Sequence, residues 1–146
     1  MAPADEDPLL LVLDLPVTPE TATPELRESV AEVLADLGER HRFDVLLVVT
    51  ELVCNVLDHT SGTGRLRVFL DKTSGEVVVE VDDDSALPPV HGSSRLGGDR
   101  GRGIVMIDGL AGEWGTRPLA AGGKTVFATV PAGRDTAQDP RPGQAP

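Results

Sequence analysis

The sequence predicts an α+β fold: a two-layer sandwich in which a mixed, mostly antiparallel sheet carries three helices on one face. Three observations lead there. Short alternating apolar segments come in pairs joined by tight turns, "RLRVFLD" with "EVVVEVD", and residues 113–118 with 123–130. Longer segments with apolar residues at helical spacing lie between these pairs. They do not alternate one-for-one with the strands, as a doubly wound parallel fold would require. The resulting order is β-α-α-β-β-α-β-β, with no internal repeat.

Residues 1–8 are acidic and Pro-containing and are expected to form a disordered lead to a single domain at 9–131. "LLLVLDL" (9–15) predicts the first strand. Thr23-Pro24-Glu25 predicts a helix start, with Thr23 as N-cap and Pro24 at the first helical position. Leu26, Val30, Val33, Leu34 and Leu37 recur on one face of that helix, and Gly38 can close it. A second helix is expected from Phe43 to Asp58. The strands 65–71 and 76–82 follow, joined by "KTSG". An irregular segment from Asp84 to Gly101 holds Pro88, Pro89, Gly92, Gly97 and Gly98, and a third helix is expected over 102–111. The final hairpin turns through "AAGG" (120–123). The tail 132–146, "AGRDTAQDPRPGQAP", has the composition of a disordered end.

Composition narrows the function classes. Aromatic residues make up only 3% of the chain, so platforms for stacking bases are not expected. The formal net charge of -11 lacks the basic footprint that direct nucleic-acid binding needs. It also disfavours attraction to anionic lipid; a basic protein surface or a cation-chelated ligand suits it better. The single Cys54 excludes an intrachain disulfide and a multi-thiolate metal site. "MAPADEDPLL" has no basic stretch or long apolar core of a signal peptide, and no apolar run approaches the roughly 20 residues of a membrane helix. A cytoplasmic protein is expected.

Three constellations carry candidate chemistry. On the second helix, Asp44, Glu51, Asn55 and Asp58 share one narrow stripe at about 100° per residue. A solvated stripe on an amphipathic helix is one reading. Against it, Asn is a poor mid-helix residue whose neutral oxygen suits Mg²⁺, and a Glu one turn earlier can act as a base. In "VVVEVDDDSALPP" (77–89), Asp83 continues the face of Val77, Val79 and Val81, because strand side chains alternate. A carboxylate there needs a hydrogen-bond donor, and the exocyclic amine of adenine is one. The alternative is a strand ending at Val81, with the three aspartates in a solvated turn. In "GDRGRGIVMIDGLAGEWG" (98–115), Gly101-Arg102-Gly103 runs directly into an apolar helical segment. Free N–H groups at such a terminus can hold phosphate oxygens, with Arg102 adding charge-assisted bonds. A flexible turn is the plainer reading. "GGKT" (122–125) is not a P-loop, since Pro118 stands at the first motif glycine and a strand follows.

In this order the three segments resemble the boxes of the histidine-kinase-like (GHKL, Bergerat) ATPase superfamily. "ELVCNVLDHT" is similar to the box with the Glu and the Mg²⁺-binding Asn, and "VEVDDDSALPP" to the adenine-binding Asp box. "GDRGRGIVMIDGLAGEWG" is similar to the phosphate loop, and "GGKTVFATV" to the closing strand with its adenine-side Thr. The likeness is greatest to the small anti-sigma-factor serine/threonine kinases of actinobacteria. It implies the Bergerat ATP-binding fold, with ATP and Mg²⁺ as cofactors. Position by position it implies Glu51 as the catalytic base, Asn55 as the Mg²⁺ ligand and Asp83 as the adenine anchor. Gly101, Arg102 and Gly103 would hold the phosphates, with Thr125 near the base. Ser85 departs from the pattern, standing where the Asp box usually carries glycine, and a second box glycine is missing. His59 fits relatives of this branch as a structural residue. The implied activity is transfer of the ATP γ-phosphoryl to a Ser or Thr of an anti-sigma antagonist of the STAS type. A sigma factor is a further implied partner, and a homodimer the implied assembly. The alternative is a nucleotide-sensing, partner-switching module without kinase activity.

Overall fold

The computed structural model describes residues 8–59, 63–84, 109–120 and 122–132. Its elements are β1 (Leu9–Val17), α1 (Thr23–Val33), α2 (Glu39–His59), β2 (Gly64–Asp71), β3 (Val77–Asp83), β4 (Glu113–Pro118) and β5 (Lys124–Val130). The fold is α+β, as expected, with a five-stranded sheet in the order β1-β2-β3-β5-β4.

Two details correct the expectation. Every strand pairing is antiparallel, so the sheet is not mixed. After the two intervening helices, β2 returns antiparallel to β1. β3 and β4 do run in the same direction, but β5 lies between them and no parallel pair forms. The described residues contain two helices rather than three. The third expected helix lies outside them, apart from Gly109 and Leu110, which are helical. The start of α1 also differs. Ala22 is its N-cap, with no side-chain cap, because the Leu26 N–H donates to the Ala22 carbonyl at 3.0 Å and draws Thr23 into the first turn.

The core lies between the sheet and the two helices. Leu26, Val30 and Leu34 of the α1 segment meet Val45, Val48, Val49, Leu52, Val53 and Val56 of α2 and the inward valines of β3 and β5. With so few aromatic residues, this layer is filled by branched aliphatic side chains, which suit the pleated surface they cover.

Two contacts set the axis of α2. At one end, the buried His41 donates its Nε2–H to the Val130 carbonyl at 3.0 Å, at the last residue of β5. Near the other, Val56 Cγ1 lies 3.4 Å from where a Cβ on Gly64 would sit. From His41 to Val56 the helix rises about 22 Å, and β3 from Val77 to Asp83 spans about 20 Å. The helix therefore delivers its C-terminal half to the Asp83 end of the sheet.

Gly64 is required where it stands. Any Cβ there would collide with the Asp82 carbonyl oxygen across the β2–β3 ladder. Gly64→Ala is expected to lower stability by about 2 kcal/mol. A thermal melt checks this, as a drop in Tm of about 6 °C.

The outer face of the sheet carries an ion network. Arg67 Nη2 reaches Asp82 at 2.8 Å and Glu80 at 3.4 Å, and Glu80 in turn meets Arg117 at 2.8 Å. Arg117 also stacks over the Phe127 ring, 4.8 Å from its centroid. Partial burial lowers the pKa of the Arg67 guanidinium, but the hydrogen bonds and charges of Asp82 and Glu80 outweigh it and raise the group above its ordinary value. At the β2–β3 turn, the Ser74 and Thr73 backbone N–H groups bind the Asp71 carboxylate and hold its pKa below the usual range.

Candidate functional site

β3 does not stop at Val81. It continues through Asp83, which is 6% exposed and lies on the buried face with Val77, Val79 and Val81. A solvated aspartate turn is therefore excluded for this residue, and the parity of the strand explains why. Asp84, one residue on, is exposed.

Among the described residues, Lys124 is a donor beside the Asp83 carboxylate. The antiparallel register sets Lys124 directly across from Asp83, so both side chains emerge on the same face. The Lys124 ammonium lies 3.1 Å from Oδ1 and 3.1 Å from Oδ2, bridging the two oxygens. At 7% exposure Lys124 is nearly as buried as its partner. Taking two charges out of water is unfavourable, and the contact at this distance is what offsets it.

Glycines flank this pair. Gly64 is opposite Asp83 on the β2 side and presents no side chain. Gly123, with φ +86°, forms part of the β4–β5 turn, and a Cβ on it would collide with the Asp83 carbonyl oxygen. The two glycines bring neighbouring backbone close to Asp83, with Val56 packed beside Gly64.

On α2, Glu51 and Asn55 are one turn apart on the same stripe, and both are half-buried. Asp44, at the start of the stripe, is 4% exposed. At Asp44, Glu51 and Asn55 the stripe borders the buried arc of the helix instead of facing bulk water. Asn55 precedes Val56, the residue that abuts Gly64, so the stripe is carried to the Asp83 end of the sheet.

Thr125 is placed differently from the expected adenine-side residue. It pairs with Asp82, not Asp83, and its hydroxyl donates to Asp82 Oδ1 at 2.5 Å on the outer face of the sheet. The structure thus brings Asp83, Lys124 and Gly64 together, carries Glu51 and Asn55 to the same end, and turns Thr125 away. Gly101, Arg102 and Gly103, Ser85, and the side chains of Asp58 and His59 lie outside the described residues. So do residues 1–7 and 133–146 of the expected lead and tail.

Sequence reasoning missed Lys124, Gly64 and His41. The signal for Lys124 was present: Val126, Ala128 and Val130 are the apolar alternation of β5, and parity puts Lys124 with them. For Gly64 and His41 no local signal existed, because their roles depend on a carbonyl supplied by a distant strand.

Chemically, the site offers a buried carboxylate acceptor next to an ammonium donor. One helix beside them carries a carboxylate and a neutral amide. Among the described residues no group of three or more His, Cys, Asp or Glu side chains gathers to hold a metal ion, and no helix is long and apolar enough to cross a membrane. A family model of the histidine kinase-like ATPase domain matches residues 15–130, from the second half of β1 to the end of β5. A search of curated proteins finds no match.

Proposed function

The chain belongs to the histidine kinase-like ATPase domain family, and from that premise we propose that it is an ATP-binding regulatory serine/threonine kinase of the anti-sigma-factor type. The observation that carries the proposal is Asp83, a carboxylate buried at a strand terminus, on the face that α2 covers. A carboxylate buried there needs hydrogen-bond donors, and we take the adenine amine as one beside Lys124.

The residues present fit ATP with Mg²⁺. Asp83 is an acceptor suited to the exocyclic amine of adenine. Asn55 supplies one neutral oxygen, which matches Mg²⁺, a cation held by few protein oxygens together with phosphates and water. Bound there, Mg-ATP supplies the γ-phosphoryl group and the charge neutralisation that its transfer requires. Asp83 holds the base end, Asn55 the metal end, and Glu51 accepts the proton of an incoming Ser or Thr hydroxyl. Gly101, Arg102 and Gly103 remain the candidates for the phosphates. The acceptor is proposed to be an anti-sigma antagonist of the STAS type, with a sigma factor as a second partner of a homodimeric kinase. The protein is proposed to act in the cytoplasm and to bind no nucleic acid directly.

Calorimetric titration of the purified protein with Mg-ATP tests the first step, with saturable heat at one site per chain expected. Absence of heat overturns the proposal. Binding without transfer of radiolabel from ATP to a co-purified antagonist leaves the partner-switching module in its place.

A further inference from the structure

Resting on the ATP-binding reading above, we infer that Lys124 reads N1 of the adenine ring, making the Asp83–Lys124 pair a two-point reader of the base. Adenine presents a donor, the N6 amine, beside an acceptor, N1. A site that recognises this edge needs an acceptor and a donor side by side. Asp83 and Lys124 are such a couple: they stand opposite each other in the β3–β5 ladder, on one face, with Nζ 3.1 Å from each carboxylate oxygen.

The hydroxyl the resemblance would bring to the base is not on that face. Thr125 bonds to Asp82 on the other side of the sheet. The residue that β5 does contribute beside Asp83 is Lys124. Its ammonium has three N–H groups on a flexible stem. It can keep a hydrogen bond to the carboxylate while another N–H turns to the base.

The couple also explains why a buried ammonium is retained. An apolar pair of similar size would be no less stable in this position. A charged pair with a polar edge is of use where a ligand must be told from its near neighbours. Guanine would set its O6 oxygen against the Asp83 carboxylate and its N1–H against the ammonium, mismatching both points at once.

The test compares Mg-ATP with 1-deaza-ATP, which keeps the N6 amine and the triphosphate but has carbon in place of N1. Calorimetry on the intact chain is expected to show ATP binding about tenfold tighter than 1-deaza-ATP, the loss of one hydrogen bond to a charged group. In Lys124→Met the discrimination is expected to fall to within about twofold, and in Lys124→Arg, which keeps charge and donors, to persist. A role confined to stability would change Tm without moving this ratio. Equal affinities in the wild type overturn the inference, and so does full discrimination in a folded Lys124→Met. The wild-type comparison needs no variant, so a misfolded substitution does not shield it. If the wild type binds neither nucleotide, the ATP-binding reading itself is what has failed.

Discussion

Asp83→Ala is expected to lower the thermal midpoint by about 10 °C and to abolish the heat of Mg-ATP binding. The two effects share one origin. Asp83 and Lys124 are both buried, and their side chains meet at 3.1 Å. Removing one member of such a pair deprives a buried charge of its counterpart, a change that costs about 3 kcal/mol. For a domain of this length each kcal/mol moves the midpoint by about 3 °C. The carboxylate is also the acceptor assigned to the adenine amine, so the binding heat disappears with it. Asp83→Asn separates the effects. It keeps the shape and an acceptor oxygen but lacks the charge, and it is expected to lose about half as much stability. An unchanged midpoint in Asp83→Ala would show that the pair does not form in solution.

The second large effect is expected in chemistry, not in folding. Glu51→Ala should bind Mg-ATP within a few-fold of the wild type and transfer phosphoryl groups at least about 100-fold more slowly. Glu51 is half-buried on a stripe beside the buried arc of α2, while Leu52 and Val53 next to it carry the packing. The melt should therefore move by no more than a few degrees. Its proposed task is to accept one proton from the acceptor hydroxyl, and removing a positioned base affects the rate and leaves ground-state binding nearly intact. Transfer at the wild-type rate in this variant would remove Glu51 from the mechanism. Loss of ATP binding would instead make it part of the nucleotide or metal site.

Much of this architecture was readable in the chain. The alternation in "EVVVEVD" and the run Val77, Val79, Val81 offered Asp83 the inner face, because a strand has a period of two, and the structure chose it over a solvated turn after Val81. The helical spacing from Val45 to Val56 located α2, although its reach back to Glu39 and the burial of Asp44 and Val48 were not anticipated. The strictly antiparallel pairing was not legible, since nothing local says that β5 inserts between β3 and β4.

The sequence by itself therefore determined the approximate places of the five strands and of α1 and α2, the inward faces of β3 and α2, and the family of the domain. Those properties follow from the dihedral periodicity of neighbouring residues. Only the tertiary structure decided that Lys124 and not Thr125 stands beside Asp83, that Gly64 admits the Asp82 carbonyl, and that His41 ties α2 to Val130. Each of these is a meeting of groups some 18 to 89 positions apart in the chain. Such meetings are set by strand register and the closing of the core, which no short stretch of sequence encodes.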